Sequence, residues 1–112
     1  YRVIIGATIE KPDGTKYRYK NDGDPIDKNC SIVFTAGFCG VPKPFNLKWQ
    51  VVNTGYQARS VNALRGEFFE EGVNEITHRE STLYTGSHAI QCFVFKKGHC
   101  VAQSKIFIVN IK

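Results

Sequence analysis

Apolar residues recur at every second position through one short segment after another, and that period narrows the fold more than any other feature of this chain. Val3, Ile5, Ala7 and Ile9 alternate with polar or small residues, and Thr15, Tyr17 and Tyr19 alternate with Lys16, Arg18 and Lys20. Leu47, Trp49 and Val51 point one way while Lys48 and Gln50 point the other, with Asn53 in phase with Trp49. A two-residue period places one set of side chains on one face of a strand, which is then buried on that face alone. No segment holds a 3.6-residue period, and a single turn near residues 57–64 is the one place where helix is tolerated. Turn residues punctuate the strands at Pro12-Asp13-Gly14, at 21–25, at Gly37–Pro44, at Glu71–Asn74 and at Lys97-Gly98. Between them lie candidate strands at 31–36, 47–53, 64–68, 75–82, 88–96 and 100–112. Short strands joined by turns predict an antiparallel, immunoglobulin-like β-sandwich of about seven or eight strands.

At 112 residues the chain can bury one core and is too short for two. It opens on Tyr1 and contains no methionine, which reads as a fragment cut from a longer protein. No apolar run approaches the ~18 residues needed to span a bilayer, and no signal-peptide pattern is present. The net charge of +5 comes from 15 Lys and Arg against 10 Asp and Glu. Positive charge gathers at Lys11, Lys16, Arg18 and Lys20 and again at Lys96-Lys97. That balance suits an anionic partner (a nucleotide, nucleic acid or an acidic domain face), and it equally suits an ordinary solubilising surface. Direct nucleic-acid binding is the weaker form, because no block of consecutive like charges appears.

The four cysteines do not fall into metal-ligand spacings: Cys30 and Cys39 are separated by eight residues, Cys92 and Cys100 by seven. No cofactor or metal is implied. If Lys97-Gly98 is a two-residue hairpin turn, Cys100 lies opposite Phe95 and Cys92 opposite Gln103. A Cys92–Cys100 disulfide then fits poorly, since the Cα atoms must come within ~7 Å. Cys92 is in phase with Ile90 and Val94 and reads as a buried thiol. No nucleophile elbow, glycine-rich phosphate loop or Walker sequence is present, so the domain itself is not expected to be an enzyme.

Binding is the better match. Trp49, Tyr84 and the Tyr17/Tyr19 pair offer planar faces for a base, and Arg59, Arg65 and Arg79 offer forked donors for phosphate or carboxylate. Asn53 can read a base edge or satisfy the turn amides that follow it. Trp49 is a core plug or a stacking platform, and Arg79 can pair with Glu67 or Glu80 across strands. His88 is a hydrogen-bonded core histidine or a sensing group. Arg65 stands beside Gly66, which lets a ligand or a second chain approach closely.

The motif W-x-V-x-N-T-G-x-x-A from Trp49 to Ala58, the Leu64-Arg65-Gly66 that follows, and Glu80-x-Thr82-x-Tyr84-x-Gly86-x-His88 together resemble a known bacterial family. This is the adenylyl/guanylyl cyclase and SMODS C-terminal sensor domain, found behind the nucleotide-second-messenger synthases of anti-phage systems. The resemblance is close from Trp49 onward and loose over the first forty residues. It implies a small β-rich module in the bacterial cytoplasm, with reduced cysteines, that senses a nucleotide-like or phage-derived ligand. It also implies an attached nucleotidyltransferase or cyclase domain under the sensor's control. Asn53, Arg59 and Arg65 are the expected ligand contacts, with Tyr84 and His88 shaping the pocket. The rival expectations are a protein–protein docking module without a small ligand and a secreted adhesion-type sandwich closed by disulfides.

Overall fold

Most of the alternating segments form strands where the sequence places them, and those around Ile5, Phe34, Trp49 and Ile90 bury their apolar phase. The computed structural model describes residues 1–37, 40–53 and 66–112, with Asn53, Gly66 and Glu67 described by backbone alone. Its nine described strands are β1 (Ile4–Glu10), β2 (Lys16–Tyr19), β3 (Ser31–Gly37), β4 (Asn46–Asn53), β5 (Gly66–Glu70), β6 (Thr77–Ser81), β7 (Gly86–Lys96), β8 (His99–Gln103) and β9 (Phe107–Ile111). One sheet has the order β2-β1-β3-β6. The other has the order β5-β4-β7-β8, with β9 also pairing β7. All named strand pairs are antiparallel. The inner faces meet at Phe34, Leu47, Trp49, Cys92, Val94 and Val109, which are fully enclosed. Phe34 packs at 6.2 Å from Trp49 and edge-on at 6.0 Å from Phe107, so one aromatic cluster ties the two sheets together.

The last strand is where the structure departs most from the sequence pattern. The expected single strand at 100–112 is broken at residues 104–106 into β8 and β9, which lie along the same side of β7. The turn itself forms as expected, with positive φ at Lys97 and Gly98 and Cys100 opposite Phe95. Beyond Phe95 a bulge shifts the register by one residue, so Phe93 rather than Cys92 faces Gln103. Cys92 instead meets Ser104, whose N–H donates to the Cys92 carbonyl and whose Oγ accepts the Cys92 N–H, both at 2.9 Å. A side-chain oxygen thus takes the place of a ladder carbonyl, and the strand kinks. Cys30, Cys92 and Cys100 are outside any disulfide, while Cys39 lies outside the described residues.

A second departure from regularity follows β2. After Tyr19 the chain leaves its sheet and runs along β9 of the other one. Asp22 N–H donates to Ile108 O, the Asn21 side chain bonds both Ile106 O and Ile108 N–H, and Ile26 forms a parallel bridge with Ile111. The Tyr19 hydroxyl fastens this crossing, donating to Gly23 O at 2.8 Å and accepting Asn110 N–H at 3.1 Å. Asp22 takes a positive φ of 57° in the turn, a conformation Asp tolerates better than most residues.

Candidate functional site

Among the described residues, the early exit of β2 leaves nearly half of β1 without a neighbour on that side. β2 pairs only Ala7 to Glu10, whereas β3 pairs β1 from Ile4 onward. The N–H of Ala36 turns toward Ile76, so its partner Ile5 turns its own N–H and C=O the other way, to the side where β2 has ended. Across the gap stands the kink at 104–106. Between these irregularities lies a cleft of about 540 Å³, floored by Val3, Ile5, Tyr19 and Phe107. Its rim carries Arg2, Arg18, Lys20 and Lys105, all exposed, and among the described residues the lining includes no Asp or Glu. Gly6, with no side chain of its own, leaves room for the Arg18 guanidinium, whose Nη2 lies 3.3 Å from where a Cβ would stand. Four cations without an acidic neighbour in the lining make this a focus of positive potential over an apolar floor.

The residues expected to hold a ligand lie elsewhere. Asn53 ends β4 directly opposite His88 on β7, and its side chain is outside the described atoms. Arg59 and Arg65 lie outside the described residues altogether. His88 is buried, and its Nε2 lies 2.8 Å from the Tyr84 carbonyl. That contact is the hydrogen bond expected of a core histidine, made to the backbone of Tyr84. Burial holds the His88 pKa below its ordinary value against the opposing pull of that carbonyl, so the ring is neutral near pH 7 and Nε2 is the donor. Its Nδ1 has no hydrogen-bond partner among the described residues. A small void of about 20 Å³ lies beside it, lined by Val51, Glu80, His88 and Val109 among others, which holds at most a water molecule. The structure therefore brings Asn53, Tyr84 and His88 to one end of the β4/β7 pair, and none of them is among the lining residues of the basic cleft.

Two further expectations change. The Arg79 guanidinium reaches Glu10 at 2.8 Å across the outer face rather than Glu80, and the Glu67 side chain lies outside the described atoms. Arg79 and Glu80 are neighbours on a strand and so project to opposite faces. Of the Tyr17/Tyr19 pair, Tyr19 is enclosed and engaged by both its hydroxyl bonds, so it offers no open face.

Sequence reasoning missed the most polar cluster of the interior. His78 is buried between Glu71 at 2.7 Å from Nδ1 and Glu80 at 2.6 Å from Nε2. Its ring stacks on Trp49 (6.0 Å, 22°) and lies 4.8 Å from Phe69. Burial alone would lower the His78 pKa, but Glu80 and Glu71 outweigh it and hold the pKa above its ordinary value. The signal was the spacing: His78 and Glu80 are two apart on a strand and share its inner face. In the basic cleft, Arg18 and Lys20 belong to the charge cluster legible in the sequence, whereas Arg2 and Lys105 do not.

Two antiparallel sheets enclosing an aromatic core, with a charged cleft where strands leave their sheets, define a small all-β module. The chain belongs to the family described as the Adenylyl/Guanylyl and SMODS C-terminal sensor domain, whose profile matches residues 1–112. It is also similar to a cytidylate cyclase of Staphylococcus aureus, with 29% identity over 89 residues. That alignment covers 78% of this chain and 21% of the relative, so the chain spans about a fifth of that protein's length. The family membership gives the domain a regulatory, sensing role. No helix among the described residues is long and apolar enough to cross a membrane.

Proposed function

We propose that this domain is the ligand-sensing module of a second-messenger synthase, binding an anionic ligand and controlling an attached nucleotidyltransferase or nucleotide cyclase domain. Nucleotide-like and phage-derived ligands both belong to this reading, and its setting is antiviral defence in the bacterial cytoplasm. The observation that carries it is the basic cleft, in which Arg2, Arg18, Lys20 and Lys105 surround an apolar floor without an acidic residue in the lining. Cations gathered around an apolar floor strengthen their hold on an anion, because the low-dielectric walls screen them less than open water would. The second set, Asn53, Arg59 and Arg65 with Tyr84 and His88, remains a proposed contact region, of which Asn53, Tyr84 and His88 lie at one end of the β4/β7 pair and Arg59 and Arg65 lie outside the described residues. The test is a thermal-shift panel of nucleotides, inorganic polyphosphate and acidic peptides against the parent, the Arg18→Glu/Lys105→Glu variant and Arg65→Ala. A ligand at a hundredfold its Kd adds about 2.7 kcal/mol of stability. A stabilising anion whose effect disappears in the charge-reversed variant supports the cleft, and one lost only in Arg65→Ala moves the site to the second set. If no member of the panel stabilises the parent, the anion reading fails.

A docking reading is favoured by one separate observation. On the outer face of the second sheet Phe68 is 63% exposed, 6.4 Å from Phe93, and the Lys48 ammonium sits 4.7 Å over Phe95. An aromatic strip of this kind suits a contact with a protein surface. Phe68→Ser would then weaken control of the catalytic domain in the whole protein while leaving any ligand-induced thermal shift intact.

A further inference from the structure

We propose that the ligand of the basic cleft is an extended acidic polypeptide segment that adds itself as a strand to the open edge of β1. The inference rests on the cleft being the ligand site and goes on to name the ligand's chemical class. Three observations separate a peptide from a nucleotide.

The first is the backbone. Ile5 directs both a donor and an acceptor into the cleft, because Ala36, its partner in β3, is bonded to the opposite side. A strand edge presenting both N–H and C=O is matched by another strand, and an exposed edge of this kind is the usual template for strand addition. The unpaired stretch from Val3 to Gly6 accommodates about four residues at ~3.3 Å each. The second is the floor. A strand laid beside β1 alternates its side chains in phase with it, so one set would join Val3 and Ile5 over Tyr19 and Phe107, and the other would lie on the outer face with Arg18. Apolar residues on the inner phase and carboxylates on the outer phase satisfy both surfaces at once. The third is what a base would lack. The aromatic rings of the lining, Tyr19 and Phe107, are only 6% exposed each and present no face for stacking. Of the two amide side chains in the lining, Asn21 and Gln103, Asn21 already spends its Oδ1 on Ile108 N–H and its Nδ2 on Ile106 O. The described lining therefore offers a nucleobase no aromatic face to stack on, while its cations and its strand edge suit an acidic peptide.

The probe is a synthetic peptide, acetyl-Glu-Val-Asp-Val-Glu-amide, titrated into the ¹⁵N-labelled chain. Its controls are the same peptide with N-methylated backbone amides, uridine monophosphate, and inorganic polyphosphate. The expected result is that the peptide shifts the amides of Val3 to Gly6 and slows hydrogen exchange at Ile5. N-methylation should weaken binding at least tenfold, and Arg18→Glu/Lys105→Glu should do the same. Equal binding of the N-methylated peptide would overturn strand addition while leaving the cleft an anion site. So would tighter binding of the nucleotide or of polyphosphate. Failure of every probe to perturb the cleft would remove both the peptide and the anion site beneath it. Peptide binding that shifts β5 or the Asn53 end of β4 instead of β1 would also refute the proposal.

Discussion

Replacing Trp49 separates the packing value of its ring from the cost of its unpaired polar atom. The side chain is fully enclosed, touches Phe34 at 6.2 Å and carries the stacked His78 ring at 6.0 Å. A buried tryptophan removes about 150–250 Å² from water, which at ~25 cal/mol per Å² amounts to about 4–6 kcal/mol. Measured truncations of buried Trp or Phe to Ala cost about 3–5 kcal/mol, against a total stability of roughly 5–15 kcal/mol for a domain. At about 4 °C per kcal/mol, Trp49→Ala should lower the Tm by at least ~12 °C and leave the domain barely folded at 37 °C. The indole Nε1 is buried without a hydrogen-bond partner among the described residues, a burden of about 1–3 kcal/mol. Trp49→Phe keeps an aromatic ring on Phe34 and His78 and deletes that orphan N–H, so its loss should be less than half that of the Ala variant. Circular-dichroism melts of the three proteins at one pH decide the matter. An Ala variant melting within a few degrees of the parent would mean that Trp49 does not anchor the core, and equal losses for Ala and Phe would mean that the orphan N–H costs nothing.

The two buried histidines should shape stability from opposite sides of their ordinary pKa. The folded pKa of His78 is raised, so its stabilisation is complete below about pH 6.5 and is lost as pH rises through the raised value. The folded pKa of His88 is lowered, so stability declines as pH falls below about 6.5 toward that value. In a series of melts across pH, His78→Gln should flatten only the alkaline limb and His88→Gln only the acid limb; the reverse assignment would refute both electrostatic readings. Ser104→Ala should cost about 1–3 kcal/mol in urea unfolding, because it strips the Cys92 N–H of its Oγ acceptor, and a neutral result would show that the kink does not depend on that bond. In a Cys39→Ser background, a thiol reagent should modify exposed Cys100 in the native protein and reach buried Cys30 and Cys92 only after denaturation; equal rates would contradict their burial.

The sequence period was enough to place β1, β3, β4 and β7, because each is buried on one face and the alternation records that burial residue by residue. The inward phase of Trp49, Cys92 and His88 was legible for the same reason. The kink at 104–106 was not, since Ser104 satisfies a backbone N–H with its side chain and no hydrophobic pattern registers such a substitution. Nor was the crossing after Tyr19, which rests on hydrogen bonds between residues more than eighty apart in sequence. The Glu71–His78–Glu80 cluster escaped because Glu71 lies in a turn, where a carboxylate ordinarily reads as solvated. Arg59 and Arg65, together with the Asn53 side chain, lie outside what the structure describes, so the sequence remains the only guide to them.

The cleft depends on both of these unpredictable features, and that dependence bears on how a sensor of this shape can signal. Its two walls belong to different sheets: β1 and the exit from β2 on one side, the 104–106 kink on the other. A ligand bridging them therefore acts on the packing between sheets rather than on one strand alone. The Tyr19 hydroxyl, bonded to Gly23 O and Asn110 N–H, is the strut that spans the same gap from below, and its ring meets Phe107 at 6.4 Å. Phe107 in turn packs edge-on against Phe34, the centre of the aromatic core. Tyr19→Phe removes both hydroxyl bonds and keeps the ring. If the strut couples the cleft to the core, this variant should still bind the anion that stabilises the parent but transmit less protection to the N-terminal half of β7, where Ile90 faces Phe107. Hydrogen exchange read at His88 and Ile90, with and without that anion, makes the comparison. Undiminished protection there in Tyr19→Phe would mean that the signal leaves the cleft by another route.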